Sequence, residues 1–183
     1  NRQVLAQFSL IKQTVRDWKD DDAVADCVGR ILRRELGDGS GLIYGMGHAV
    51  YTLSDPRTVI LRKSARTLAA QRGMLDELEL MEVVERVTPR VFAEITGHEK
   101  VMCANVDMYS GLIYQMLDIP PDLFTPLFAV ARITGWCAHR MEEVLTGGRL
   151  YRPAYKSLTR HREYIPMAAR TYRKNPLPAE KRD

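Results

Sequence analysis

The stretch Phe124-Thr125-Pro126-Leu127-Phe128-Ala129-Val130-Ala131-Arg132-Ile133-Thr134-Gly135-Trp136-Cys137-Ala138-His139-Arg140-Met141-Glu142-Glu143-Val144-Leu145 decides the fold class. From Pro126 to Leu145 apolar residues fall on nearly all faces, which predicts a helix buried on most sides. Gly147-Gly148 ends it. Before it, Pro120-Pro121-Asp122 breaks the chain and is the best domain boundary, separating residues 1–118 from 119–183. Toward the N-terminus the helical period recurs. Val4, Leu5, Phe8, Ile11 and Val15 lie on one face, as do Val24, Cys27, Val28, Ile31 and Leu32 in a helix from about Asp22. Gly37-Asp38-Gly39-Ser40-Gly41 is a loop, and Leu42 to His48 is apolar but broken by glycine. Ser54-Asp55-Pro56 starts a helix, with a capping side chain before Pro at the first helical position. That helix carries Val59, Ile60 and Leu68 and stops near Gly73. Shorter helices are predicted over Leu75–Val87 and Pro89–Ile95, and Asn105-Val106-Asp107 precedes an apolar run from Leu112 to Leu117. No alternating strand appears, so the fold class is all-α.

The chain has 183 residues and is 45% apolar, enough for a buried core and for one large domain or two small ones. No apolar stretch approaches a bilayer span, and the first residues do not read as a secretory leader. The chain opens at Asn1 with a helical pattern already under way, which reads as a piece of a longer protein. Cys27, Cys103 and Cys137 are far apart, which fits small buried thiols in a reducing, cytoplasmic compartment. From Arg149 to Asp183, ten Lys or Arg face three Asp or Glu, a balance of +7 against +4 for the whole chain, so the remainder carries −3. Arg160, Arg162, Arg170, Arg173 and Lys174 have no aromatic-interleaved repeat, so this tail reads as a solvated surface rather than a nucleic-acid or membrane contact.

His48 follows Gly45 and Gly47, which would let backbone approach a ligand. A tight turn with a surface histidine is the plainer reading. Asp55-Pro56-Arg57 adds weight, because one loop then delivers a histidine and the next helix an arginine. That pair suits a carbonyl substrate bearing a carboxylate. Asp107, at a predicted helix start, is either a cap or a carboxylate base. Arg132, within the apolar helix, needs an anionic partner, from the protein or from a ligand. His139 reads as a core or interface histidine, and His98 and His161 as surface residues. No cluster has metal-ligand spacing, so no metal is expected.

These signals converge. Gly45-Met46-Gly47-His48-Ala49-Val50-Tyr51 with Asp55-Pro56-Arg57 resembles the histidine loop of the citrate synthase family. Cys103-Ala104-Asn105-Val106-Asp107-Met108-Tyr109-Ser110-Gly111 resembles its aspartate motif. Phe124 to Arg132 and Gly135-Trp136-Cys137-Ala138-His139 resemble its long central helix, and Arg149-Leu150-Tyr151-Arg152-Pro153 its closing segment. The resemblance covers residues 1–155 in the right order.

The resemblance implies a mostly helical homodimer, with a small domain (1–118) followed by C-terminal helices of a large domain (119–183). It implies an acyltransferase of the tricarboxylic acid cycle that condenses acetyl-CoA, a co-substrate rather than a resident cofactor, with oxaloacetate. Asp107 would take a proton from the acetyl methyl group, and His48 would protonate the oxaloacetate carbonyl. Arg57, Arg132 and Arg152 would grip carboxylates, with Arg152 reaching a second subunit's site. Leu42, Ile43, Tyr44, Gly45 and Gly47 would present backbone to the adenine of coenzyme A, with Asn105 near the thioester arm. Domain closure would expel water. Two departures stand out. Thr52 occupies a position where some relatives carry a phosphate-binding arginine. The family's first catalytic histidine would precede Asn1 by four residues, so residues 1–183 alone are expected not to turn over substrate. The alternatives are a 2-methylcitrate synthase using propionyl-CoA and, from another class, a non-catalytic helical binding module.

Overall fold

The computed structural model describes residues 1–51, 53–98, 102–146 and 163–169. Gly147-Gly148, Arg152, His161, Thr52 and the basic tail residues Arg160, Arg162, Arg170, Arg173 and Lys174 lie outside them. The helices are α1 (Arg2–Thr14), α2 (Asp21–Leu32), α3 (Pro56–Arg72), α4 (Leu75–Thr96), α5 (Asp107–Met116) and α6 (Phe124–Thr146), with 3-10 turns at Pro121–Leu123 and Met167–Ala169. Among the described residues the only β-type pairing is an isolated antiparallel bridge between Met46 and Ala104. The chain divides into two compact units, Asn1–His139 and Arg140–Asp183.

Local chemistry starts the helices where the sequence asks. The Asp20 carboxylate accepts from the amides of Asp22 and Ala23 at 2.9 and 3.2 Å, so α2 begins at Asp21. Asp55 accepts from the Arg57 amide at 3.0 Å ahead of Pro56, and Gly73 closes α3 in the left-handed conformation. The α2 stripe of Val24, Cys27, Val28 and Ile31 is buried along α4, which contributes Leu78, Leu80, Val84 and Val87. α5 lies against α1 and α3, with Tyr109 and Leu112 fully buried. Gly111 permits the close crossing with α1, since a Cβ there would lie 3.1 Å from the Leu5 side chain.

Three expectations are corrected. The segment from Leu75 to Thr96 is one helix, not two, with Pro89 inside it. Leu78, Leu80, Val84, Val87 and Val91 form one buried face on both sides of Pro89, so packing outweighs the lost backbone hydrogen bond. On α3 the apolar residues divide, with Leu68 packed against the core. Val59 and Ile60 are exposed, while Ala65 and Ala69 meet the core, because small side chains let α3 approach α5 closely. In α6, only Phe124 is buried; Val130, Ile133 and Trp136 are 66%, 53% and 54% exposed. Arg132 and His139 are exposed too, rather than core residues. Periodicity reports which residues would accept burial, not whether a neighbour is present to bury them. The thiols are likewise mixed: Cys27 is buried, Cys103 half-buried and Cys137 exposed.

Candidate active site

Two loops and the starts of four helices, α1, α3, α5 and α6, build the site. In the first loop, Gly45 and Gly47 adopt φ of 89° and 83°, which only glycine takes without strain. The second loop lies alongside. The Gly47 amide donates to the Cys103 carbonyl, and the Asn105 amide to the Gly45 carbonyl, both at 2.8 Å. The Asn105 side chain works in both directions. Its Nδ2 donates to the Gly47 carbonyl, and its Oδ1 accepts from the Asp107 amide, each at 2.9 Å. Asn105 therefore satisfies the start of α5, and the Asp107 carboxylate is not needed as a cap. The close approach of Gly45 is to the protein itself, since a Cβ there would sit 3.0 Å from the Met108 Cα.

His48 is oriented by backbone. Its Nδ1 accepts from the amides of Val50 and Tyr51 at 3.0 and 3.1 Å, and its ring packs on Tyr51 with centroids 4.9 Å apart. With the Nδ1 lone pair engaged, the ring proton sits on Nε2. Arg57 Nη2 lies 3.4 Å from that Nε2. Two donors side by side form a natural grip for one oxygen-rich group. Arg57 is held in turn by Asp55, which is buried, through Nε at 3.0 Å and Nη2 at 2.7 Å. The Arg57 hydrogen bonds hold the Asp55 carboxyl below its ordinary range, against the opposing effect of burial.

His48, Arg57, Asn105, Asp107 and Arg132 line one cleft of about 440 Å³, together with Asn1, Val106, Thr125 and Phe128. Arg132 reaches it from α6, donating to the Phe128 carbonyl at 3.2 Å and stacking on the Phe128 ring. The Asn1 backbone nitrogen lies 3.6 Å from the Asp107 carboxylate, and its side chain donates to Ser110 Oγ at 3.2 Å. Leu42, Ile43, Tyr44, Gly45 and Gly47 are not among the lining residues; of the residues expected at coenzyme A, only Asn105 is. The sequence reading did not single out Asp55 as the clamp on Arg57. A carboxylate two residues before an arginine, with Pro between them, was the available signal. Among the described residues no group of three or more His, Cys, Asp and Glu could hold a metal, and no helix is long and apolar enough to cross a membrane.

One consequence concerns acid. The unfolded Asp55 carboxyl titrates near about 3.9, and the folded one below that, so its contribution is complete above the unfolded value. The contribution disappears as pH falls through the folded value. Asp55→Asn keeps a capping oxygen but loses the charge. It is expected to cost about 1–2 kcal/mol at neutral pH, modest because Arg57 is half-exposed. Urea midpoints of the two proteins should converge below about pH 4; a constant gap down to pH 3 would remove Asp55 as the source.

The cleft sets a carboxylate beside a histidine ring and two guanidinium groups, the side chains that proton transfer and the binding of an anionic group require. The family described as citrate synthase, C-terminal domain, matches residues 1–154, and the chain belongs to the citrate synthase family. A citrate synthase of Synechocystis is 44% identical over 129 residues, covering 70% of this chain and 31% of that protein. A 2-methylcitrate synthase of Shewanella oneidensis is 34% identical over 161 residues, covering 86% and 39%. The structure of Thermoplasma acidophilum citrate synthase, a ternary complex with carboxymethyl coenzyme A and oxaloacetate, superimposes with a TM-score of 0.59 at 26% identity, covering 92% of this chain and 42% of that one. The chain thus spans about a third to two-fifths of the length of these relatives.

Proposed function

We propose that this chain supplies the small domain (1–118) and C-terminal large-domain helices (119–183) of a dimeric citrate synthase. In this reading it joins the acetyl group of acetyl-CoA to oxaloacetate. The observation that carries it is the shared cleft: Asp107, the Nε2 proton of His48, and the Arg57 and Arg132 guanidiniums. Asp107 removes a proton from the thioester methyl group, and the resulting enolate carbon attacks the oxaloacetate carbonyl carbon. As that carbonyl oxygen gains charge, His48 Nε2 gives it a proton. Arg57 and Arg132 hold the carboxylates, and Arg152 serves a second subunit's site. Water then cleaves the thioester and CoA leaves as the thiol. The loop from Leu42 to Gly47 presents backbone to the adenine, and Asn105 lies near the thioester arm.

The test follows thiol release by the full-length protein with oxaloacetate and either acetyl-CoA or propionyl-CoA. Faster turnover of acetyl-CoA is expected. The Shewanella relative is named a 2-methylcitrate synthase, and that alternative has its own signature, a higher kcat/KM with propionyl-CoA. Release with neither thioester would instead favour a non-catalytic helical module.

A further inference from the structure

Gln7 is a polar residue on the buried stripe of α1, between Val4, Phe8 and Ile11. It is only 7% exposed. Both ends of its side-chain amide are engaged. Nε2 donates to the Leu42 carbonyl at 2.9 Å, and Oε1 accepts from the Tyr44 amide at 3.0 Å. These two backbone groups flank Ile43, whose side chain is buried in the core. A carbonyl and an amide two residues apart, met by one planar amide, is the pattern a neighbouring parallel strand would impose. Here a single side chain stands in for the strand. The far end of the same loop is fixed separately, through Gly45 and Gly47 to Cys103 and Asn105. Tyr44 adds a third anchor by donating its hydroxyl to Asp38 at 2.6 Å. Among the described residues no protein group meets the Gly45 amide or the Tyr44 carbonyl. The loop is therefore held at both ends, with Gly45 buried and Tyr44 half-buried between them.

We infer that Gln7 is a positioning residue for coenzyme A: it sets the backbone of Leu42–Tyr44 in the conformation that receives the adenine. The inference rests on the proposed function, in which that loop faces the cofactor-like part of the thioester. Gln7 touches no reacting atom. Its loss should be felt in acetyl-CoA binding and not in the chemical step. Both hydrogen bonds are part-buried, and losing one or two of them corresponds to a factor of roughly five to thirty.

The experiment uses the full-length enzyme with Gln7→Glu and Gln7→Met. Glutamate keeps the acceptor for Tyr44 but sets a second acceptor against the Leu42 carbonyl; methionine fills the space and makes neither bond. The expected result is an acetyl-CoA KM raised roughly five- to thirtyfold in both, with kcat and the oxaloacetate KM within about twofold. A residue that merely stabilises the fold would lower the active fraction, and with it apparent kcat, and leave KM in place. That outcome overturns the inference. Hydrogen exchange of the wild-type loop, with and without free CoA, separates the two layers. Slower exchange at residues 42–47 with CoA, together with an unchanged KM in both variants, would defeat the role of Gln7 alone. No protection of the loop by CoA would defeat its placement at the adenine, and Gln7's role with it. If Gln7→Met fails to fold, the isosteric Gln7→Glu still reads the same split.

Discussion

Asp107→Asn in the full-length enzyme is expected to lower kcat by about 10²–10⁴, the range a positioned proton-transfer group contributes. The oxaloacetate KM should stay within about threefold, because the substitution touches neither guanidinium. The structure makes this a clean experiment. Asp107 is the first residue of α5, and Asn105, not Asp107, accepts its amide hydrogen. The asparagine is isosteric and leaves that cap in place, so the fold should be intact while the proposed base is gone. Asn105→Ala is the informative contrast. It removes the cap and the bond to the Gly47 carbonyl together, and should cost about 1–2 kcal/mol of stability besides any rate effect. Exchange of the acetyl-CoA methyl protons with deuterated solvent isolates the step. If Asp107→Asn exchanges as fast as wild type, another group is the base.

The parts of this fold that were legible are those settled within a few residues. Asp20 and Asp55-Pro56 start their helices because a cap and a fixed proline φ act locally. The stripe on α2 was legible because its neighbour, α4, lies within the chain. What failed had non-local causes. Pro89 argues for a break in any local reading, and it is overruled by the buried face running through it. The apolar surface of α6 predicts burial, yet Val130, Ile133 and Trp136 face outward within this span. In the site, residue type and motif point to His48, Arg57, Asn105, Asp107 and Arg132 but not to Val106, Thr125 or Phe128 beside them, nor to the bonds that aim them. That the His48 ring accepts from two amides, that Asp55 clamps Arg57, and that Gln7 braces a loop 35 residues away are matters of three-dimensional register. No periodicity encodes them, although a glutamine on an otherwise apolar helix face is a visible irregularity.

Gly45→Ala is expected to be among the most damaging single-methyl changes in the chain. Two costs coincide there. The backbone φ of 89° strains a residue with a Cβ by about 1–3 kcal/mol. The added Cβ also falls 3.0 Å from both the Cα and the Sδ of Met108, and overpacking of that kind costs about 1–3 kcal/mol more. Gly47 is the internal control. Its φ is 83°, but a Cβ there meets nothing within 4 Å, so Gly47→Ala should show the strain alone. Met108→Ala tests the second cost further. It removes the Sδ and leaves the Cα, so in combination with Gly45→Ala it should relieve only part of the clash. The damage should reach the chemistry as well. Gly45 joins the His48 loop to Asn105 through its carbonyl, and Met108 directly follows Asp107. Pushing the two backbones apart therefore separates His48 from Asp107, the donor and the base of the proposed reaction. Thermal midpoints should fall in the order wild type, Gly47→Ala, Gly45→Ala, and kcat should fall most in the last. Equal losses in the two alanine variants would mean that conformational strain is the whole cost, and that the contact with Met108 yields without consequence.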